Sequence, residues 1–292
     1  MTPTLIRTHS PLHLGVGQSP SALDLPIERD QVTGAPSLSG SSLKGALRAR
    51  YAHTRQAEDP TEEEIFGPLV RGLENASDYS GAVEVHGASL LLFPVASPLA
   101  GWAWVTSPLA LSQLYAQMSP EEVAALPLPR PKEDEALGPY QLITPWTDGE
   151  LFWARDLDFH FKESRELHAW ADWLTASFML DPANTKHIHR RLVCLHDDVA
   201  AMVWQQMTQV VTRNRIDPVT GVVADRALWN EELVPADTFF LAALAPITAR
   251  CEQLKRDGGA LVSALAARCA SFSVGGKVSV GRGLCSLSLK EG

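Results

Sequence analysis

Apolar and polar positions in the first third of the chain predict short strands around one helix. Residues 5–8 read as a strand. Leu43, Leu47 and Tyr51 recur at helical spacing and predict a helix over residues 42–55, because residues three and four apart share one helix face. Further strands are predicted over residues 81–86, 89–95 and 102–106. The order is therefore strand, helix, strand, strand.

The pattern changes after residue 108, where helix formers alternate with proline-rich breaks. Leu167, Trp170, Leu174 and Phe178 follow helical spacing, which favours a packing stripe over a surface for stacking bases. We interpret residues 109–185 as a helical insertion into the core.

The last third returns to strands and adds a hairpin. Its turn sequence, Asp-Pro-Val-Thr-Gly over residues 217–221, is typical of a tight connection between two strands. The predicted elements are a strand (191–195), a helix from a cap at Asp197 or Asp198 through Met207, two hairpin arms (208–216 and 222–231) and a helix (246–269).

Composition indicates a protein that can bury a full core, since 45% of its 292 residues are hydrophobic. The first residues lack the charged start and apolar run of a signal peptide, and three prolines interrupt the apolar stretch over residues 90–114. The four cysteines have no C-x-x-C spacing, which disfavours a zinc ribbon or a disulfide framework. We therefore expect a cytoplasmic protein without a membrane segment.

The charge balance counts against a freestanding nucleic-acid binder, because 34 acidic residues outnumber 25 basic ones and the net charge is -9. The charges are nevertheless segregated along the chain. Basic residues recur over residues 29–55, 186–191, 213–226 and 277–282, whereas acidic residues cluster over 58–64 and 121–135. A basic groove on an acidic protein is compatible with this distribution.

A long loop that precedes the first helix is the strongest candidate for a binding site. The loop carries Gly15, Gly17 and the carboxylate Asp24, and Ser41 or Ser42 is a plausible helix cap. Lys44 and Arg48 lie four residues apart, on the side of the helix opposite its apolar face. A capped helix start beside basic side chains suits a polyanion. The spacing of the glycines and Lys44 does not fit a nucleotide-triphosphate loop.

Two further clusters have weaker signals. The glycine-rich segment over residues 275–283 is compatible equally with an anion-binding backbone nest and with a tight hairpin before a last strand. The basic hairpin arms suggest a projection that touches a ligand. His187, His189, His196 and Asp197 have no recognisable ligand spacing, so a metal site there is disfavoured.

Taken together, the segments resemble the RAMP superfamily of CRISPR proteins, and within it the repeated backbone subunits of type III-B (Cmr) effector complexes. The matching segments occur in the family's order along the chain. They are Asp-Leu-Pro-Ile-Glu-Arg-Asp (24–30), Gly-Ser-Ser-Leu-Lys-Gly-Ala-Leu-Arg (40–48), Leu-Leu-Phe-Pro-Val (91–95), Trp-Val-Thr (104–106), Ile-Asp-Pro-Val-Thr (216–220), Glu-Glu-Leu-Val-Pro (231–235), and the glycines between 275 and 283.

The resemblance implies an α+β fold with a modified ferredoxin-like (RRM-like) core, a helical insertion and a projecting thumb β-hairpin. The whole chain would form a single RAMP domain. Its core would comprise about residues 1–108 and 186–292, with the insertion at about 109–185 and the thumb hairpin at about 208–235.

The resemblance also implies a function: copies of the subunit stack along a guide CRISPR RNA, together with other subunits of the complex, and cleave complementary target RNA. Asp24 would be catalytic and would hold a divalent metal, expected to be Mg²⁺. His13 is a candidate proton carrier, and Glu231 is a candidate for assistance from a neighbouring copy. The expected RNA-binding residues are Gly15, Gly17, Arg29, Ser41, Lys44, Arg48, Arg213, Arg215, Lys277, Gly281, Arg282 and Gly283.

Three alternatives stay open at this point. The chain could be a scaffold that binds RNA without cutting it, or a guide-processing RAMP nuclease that acts alone through His13. A freestanding metabolic enzyme is disfavoured, because the sequence contains no catalytic triad, paired acid and base or cofactor fingerprint.

Overall fold

The computed structural model describes residues 1–19, 23–68, 79–97, 101–139, 151–154 and 156–291. These residues form a mixed α+β fold around one 12-stranded sheet, with a separate two-stranded hairpin. The first half of the chain contributes β1 (Thr2–Thr8), β2 (Ser37–Leu38), α1 (Gly40–Thr54), α2 (Glu62–Phe66), β3 (Val83–Val85), β4 (Ala88–Ser97), β5 (Gly101–Thr106), α3 (Pro108–Ser112), a 3₁₀ turn (Gln113–Gln117), α4 (Pro120–Ala125) and β6 (Glu135–Gly138).

The second half contributes the remaining strands and the hairpin. Its elements are β7 (Leu151–Ala154), β8 (Leu157–Glu163), α5 (Arg165–Ser177), α6 (Pro182–Arg191), β9 (Leu192–Leu195), α7 (Asp197–Gln206), β10 (Gln209–Ile216), β11 (Val223–Leu233), β12 (Phe239–Pro246), α8 (Thr248–Leu254), α9 (Gly258–Arg268), β13 (Ser271–Ser273), a 3₁₀ turn (Val278–Val280) and β14 (Leu284–Leu289). The predicted strands, first helix and hairpin are therefore present.

The order of strands across the sheet is β13, β14, β1, β12, β4, β5, β9, β6, β8 and β7, with β2 on β4 and β3 on β12. The centre of the sheet is covered on both faces, each by its own apolar cluster. Successive strand residues point to opposite sides, so neighbours along a strand join different clusters. Ile6 and Phe240 join one apolar cluster with α1 and α9, whereas Leu5 and Phe239 join a second cluster with α5.

The insertion is not purely helical, which corrects the prediction for residues 109–185. Strands β6, β7 and β8 lie within it and extend the main sheet beyond β9. In β8 the buried Phe159 and Phe161 alternate with exposed residues, which is the two-residue period of a half-buried strand. The predicted packing stripe of α5 is confirmed, because Leu167, Trp170 and Leu174 are buried.

Helix ends differ from the prediction in two further places. The helix expected over residues 246–269 is divided into α8 and α9, because Lys255 adopts a left-handed conformation and Asp257 caps a new start through a hydrogen bond from the N–H of Ala260. The cap of α7 is His196 rather than Asp197 or Asp198. Asp197 instead accepts a hydrogen bond from the N–H of Leu109, at 2.8 Å.

Within the described ranges, every helix is too short or too polar to cross a lipid bilayer.

Candidate functional site

The long loop between β1 and β2 lies against the base of the β10–β11 hairpin. Two isolated β-bridges hold it there, Leu12 with Val234 and Leu25 with Glu231, and a third, Gly15 with Ile27, joins the two sides of the loop to each other. The N–H of Leu25 donates to the carbonyl of Asn230, at 3.1 Å, and the N–H of Glu232 donates to the carbonyl of Leu25, at 3.0 Å. The loop is therefore fixed to β11 through its backbone.

Asp24 is partly buried at the edge of a cleft between this loop and β11. Its Oδ2 accepts a hydrogen bond from the N–H of Asn230, at 2.7 Å. No donor among the described residues reaches Oδ1. The cleft has a volume of about 370 Å³, and it is lined by Gln18, Ser19, Asp24, Leu25, Leu228 and Trp229. Asp24 thus has one oxygen fixed by the backbone and one available to a ligand.

His13 belongs to the same loop, and its side chain is buried. Its Nδ1 is 2.8 Å from the carbonyl oxygen of Glu232, so Nδ1 carries the proton in the neutral ring and Nε2 is the acceptor. Gly15 covers the ring so closely that a Cβ there would lie 2.7 Å from Nε2. Gly275 has a positive φ, and a Cβ there would lie 2.4 Å from the His13 carbonyl oxygen. Glycine is therefore required at both positions by the packing around His13.

Glu231 is fully buried on the other side of the hairpin base. Its Oε1 accepts from the Nζ of Lys277 and from the indole N–H of Trp229, the latter at 2.7 Å. Its Oε2 accepts from Arg282, at 2.6 Å, and lies 3.9 Å from Arg213. The cations exceed the carboxylate in number, so this cluster carries a positive charge at the base of the hairpin. A catalytic role for Glu231 stays a prediction.

Arg29 is used inside the fold rather than left free for a ligand. It forms an ion pair with the buried Glu232 and donates to the carbonyl oxygen of Gly34, at 2.6 Å. Glu232 also accepts from the N–H of Ile27, at 3.1 Å. Nearby, hydrogen bonds from Thr33 lower the pKa of Asp30. These contacts tie the loop to α7 and β11, and RNA binding by Arg29 stays a prediction.

The start of α1 lies earlier than predicted, because Ser39 is the cap and the helix begins at Gly40. Gly40 packs closely on the β3–β4 corner, where a Cβ would lie 2.8 Å from the carbonyl oxygen of Val85. Ser41 is exposed. Ser41 and Ser42 are therefore first-turn residues rather than caps.

The two basic residues of α1 have different surroundings. Arg48 pairs with Glu62, at 2.5 Å, and donates to the carbonyl oxygen of Gly67, at 2.7 Å. Lys44, in contrast, has no hydrogen bond or ion pair with any residue that the structure describes. Lys44 is therefore available to an anion, whereas Arg48 holds α2 against α1.

The glycine-rich segment lies in the connection between the paired strands β13 and β14, so it does precede a last strand, but the connection spans residues 274–283 and is longer than the tight turn expected. Some of its amides are used within the fold: the N–H groups of Gly276 and Gly283 donate to the carbonyls of His13 and Pro11, at 2.8 and 3.0 Å. The N–H of Gly281 donates to Val278, at 3.0 Å. RNA binding by Gly281, Gly283 and the exposed Gly17 and Arg215 stays a prediction.

The hairpin base thus brings together Asp24, His13, Gly15, Glu231, Arg213, Lys277 and Arg282, which are distant in sequence. Trp229, Asn230 and Glu232 belong to the same site, although sequence reasoning did not single them out. The two-residue period of β11 places Trp229 and Glu231 on one face of the strand, and Asn230 and Glu232 on the other.

A second group of potential metal ligands lies elsewhere. Atoms of Glu133, His196 and Asp198 lie within 4.8 Å of one another. The group shares His196 with the histidine cluster that the sequence disfavoured, and it does not include Asp24.

A comparison with protein families and curated proteins gives a match over nearly the whole chain. The model of the RAMP superfamily matches residues 5–286. The CRISPR system Cmr endoribonuclease Cmr4 of Pyrococcus furiosus is 29% identical over 287 residues, which are 97% of this chain and 94% of that protein.

Solved structures show the same fold. The crystal structure of oligomeric Cmr4 from Pyrococcus furiosus has a TM-score of 0.74 at 23% identity, with 99% of this chain and 98% of that chain covered. A chain in the cryo-EM structure of the type III-B Cmr-beta complex bound to cognate target RNA has a TM-score of 0.71 at 20% identity, with 99% and 96% covered.

Proposed function

The chain belongs to the RAMP superfamily, and we propose that it is the repeated backbone subunit of a type III-B CRISPR ribonucleoprotein complex that holds guide RNA and cleaves paired target RNA. The observation that carries the proposal is the 29% identity to Pyrococcus furiosus Cmr4 over 97% of this chain. The proposed partners are guide RNA, target RNA, further copies of this chain and other subunits of the complex.

The proposal includes the finer division of the fold. The core about β1, β4, β12 and β14 would be the modified ferredoxin-like part, formed by about residues 1–108 and 186–292. Residues 109–185 would be the insertion, and the β10–β11 hairpin within residues 208–235 would be the thumb. The antiparallel pairing of β1 with both β12 and β14 supports this core.

A shared filament would resolve the difficulty of the net charge of -9. Each copy needs few phosphate contacts when many copies bind one RNA, and base pairing rather than protein reads the sequence. Lys44, Arg213 and the positively charged cluster around Glu231 would supply the contacts. Because these residues lie on separate elements, they suit contacts along an extended RNA strand.

Cleavage would proceed by attack of a 2′-hydroxyl, which gives up its proton to a base, on the adjacent phosphate; the 5′-oxygen of the next nucleotide leaves and takes up a proton, and a 2′,3′-cyclic phosphate remains. The step requires in-line alignment and stabilisation of the developing charge. The N–H of Asn230 fixes the Asp24 carboxylate through Oδ2. Oδ1, which no donor among the described residues reaches, would then bind the reacting group directly or through an ion. The hairpin that carries Asn230 also borders the cleft, so it would hold a displaced nucleotide beside Asp24.

The donors at Asp24 fit a divalent ion such as Mg²⁺, which binds proteins through one or two carboxylates and completes its shell with water and substrate phosphates. One carboxylate oxygen is available at the cleft. When bound, the ion would neutralise charge on the phosphate oxygens.

His13 and Glu231 would take supporting roles. Because Nδ1 of His13 is held by the carbonyl of Glu232, Nε2 is the nitrogen that would accept a proton. Glu231 would act through the cations and the indole that its carboxylate holds.

The test is target cleavage by the reconstituted complex that carries Asp24→Ala. We expect guide content and target affinity equal to the wild type, with cleavage reduced by about 10²-fold or more. A variant that cleaves at the wild-type rate would leave the scaffold alternative. If neither the wild-type nor the variant complex retained guide RNA, both the cleaving-subunit proposal and the scaffold alternative would be overturned.

A further inference from the structure

The wall of the Asp24 cleft that β11 supplies is apolar and aromatic. Leu228 is 64% exposed although it is a large aliphatic residue, and it lies next to the half-buried Trp229. Both line the cleft together with Asp24. An exposed apolar wall beside a carboxylate is unusual on a protein surface, unless a ligand covers it.

The indole of Trp229 is fixed rather than free to rotate. Its N–H donates to Oε1 of Glu231, at 2.7 Å, and that carboxylate is fully buried among Lys277, Arg282 and Arg213. Arg213 is also the direct cross-strand partner of Trp229 in the hairpin. The ring is therefore held by these contacts where it borders the cleft.

The lining of the cleft favours a nucleobase over a phosphate. None of the described side chains that line it is basic, and the Asp24 carboxylate would repel an anion that is not bridged by a metal. An aromatic face and an aliphatic side chain are the groups on which bases stack, whatever their identity. The volume of about 370 Å³ lies within the range of small-molecule sites.

We propose that this cleft is a nucleobase subsite in which Trp229, oriented by Glu231, provides the stacking surface for the target nucleotide next to the bond that Asp24 cuts. The inference rests on the proposed function and adds a positioning residue to it. Stacking there holds the displaced nucleotide in one place, and so aligns its ribose with the phosphate. Because stacking tolerates every base, the subsite does not restrict the target sequence.

The experiment uses the assembled complex with a target RNA that carries 2-aminopurine at the displaced position and a 2′-deoxyribose at the attacking position, so that the strand stays intact. Stacking on an indole quenches 2-aminopurine fluorescence. We expect quenching in the wild type, its loss in Trp229→Leu, and weaker quenching in Trp229→Phe, which keeps an aromatic ring but lacks the N–H that Glu231 orients. With an all-ribose target at saturating complex, we expect single-turnover cleavage to fall about tenfold in Trp229→Leu, so that the loss of rate is separate from any loss of target affinity.

Trp173→Leu is a matched control, because the indole N–H of Trp173 also donates to a glutamate, Glu122, at 3.1 Å, in a cluster outside the cleft. It should match the wild type in both assays. Equal fluorescence in wild type and Trp229→Leu would overturn the inference while Asp24-dependent cleavage still upheld the proposed function. Failure of the wild-type complex to bind guide RNA would overturn the function instead.

Discussion

Asp24 and Glu231 are carboxylates at the base of one hairpin, and their surroundings are opposite. Glu231 is fully buried, and both of its oxygens are engaged by cations and an indole. Asp24 is partly exposed, with Oδ2 held by Asn230 and with Oδ1 reached by no donor in the described part of the chain. A saturated carboxylate stabilises the fold, whereas one with an available oxygen can bind substrate or metal.

The largest expected effect on stability is that of Glu231→Ala. Removing this carboxylate leaves the buried Arg282 and the half-buried Lys277 without their partner. We expect the free energy of unfolding to fall by about 3–5 kcal/mol, measured by urea denaturation. Lys277→Met in the same background should recover part of the loss, because it removes one unpaired charge. A loss below about 1 kcal/mol would show that solvent reaches the cluster.

Arg48→Ala tests whether a basic residue of α1 is structural. The change removes the pair with Glu62 and the hydrogen bond to Gly67, so the free energy of unfolding should fall by about 1–2 kcal/mol. Lys44→Ala is the matched control and should change it by less than about 0.5 kcal/mol. Lys44→Ala should instead make the slope of the logarithm of the RNA-binding constant against the logarithm of the salt concentration shallower by about one, because one phosphate contact is lost. The reverse outcome would exchange the roles of the two residues.

Glu122 is a more exposed counterpart of Glu231, since it too contacts a lysine and an indole N–H. The hydrogen bond from Lys290, with those from Ser119 and Trp173, lowers the pKa of Glu122 to about 2. A carboxyl whose pKa is lowered by folding stabilises the protein above its usual pKa and loses that contribution as the pH falls towards the folded value. Glu122→Gln should therefore lower the free energy of unfolding by about 1 kcal/mol at pH 7, allowing for solvent screening, and by less towards pH 3. If urea denaturation gave the same difference in free energy of unfolding between Glu122→Gln and the wild type at every pH, the lowered pKa of Glu122 would be contradicted.

The smallest expected effect on stability is that of Asp24→Asn. The side-chain oxygen of asparagine can still accept from the N–H of Asn230, so the free energy of unfolding should change by less than about 0.5 kcal/mol. Thermal and urea unfolding of the two proteins would measure this directly. A loss comparable to that of Glu231→Ala would mean that Asp24 is a structural residue as well.

The sequence predicted local features well where one pattern sufficed. The buried face of α1, with Leu43, Leu47 and Tyr51, followed from helical spacing. The hairpin turn also followed from sequence, and Asp217 accepts from the N–H groups of Val219 and Thr220, at 2.8 and 2.9 Å. Cap assignments failed where neighbouring residues compete, as at Ser39 and His196, because the contacts that decide between them come from other segments.

The sequence by itself determined the α+β class, the hairpin and the family resemblance, since each depends on the order and spacing of residues along the chain. The tertiary structure alone decided the use of each charged side chain. Asp24 meets Asn230 across 206 positions, and Arg282 meets Glu231 across 51. Spacing along the chain cannot distinguish a buried ion pair from an available ligand, because the electrostatic environment of a charge depends on neighbours that the fold brings together in space.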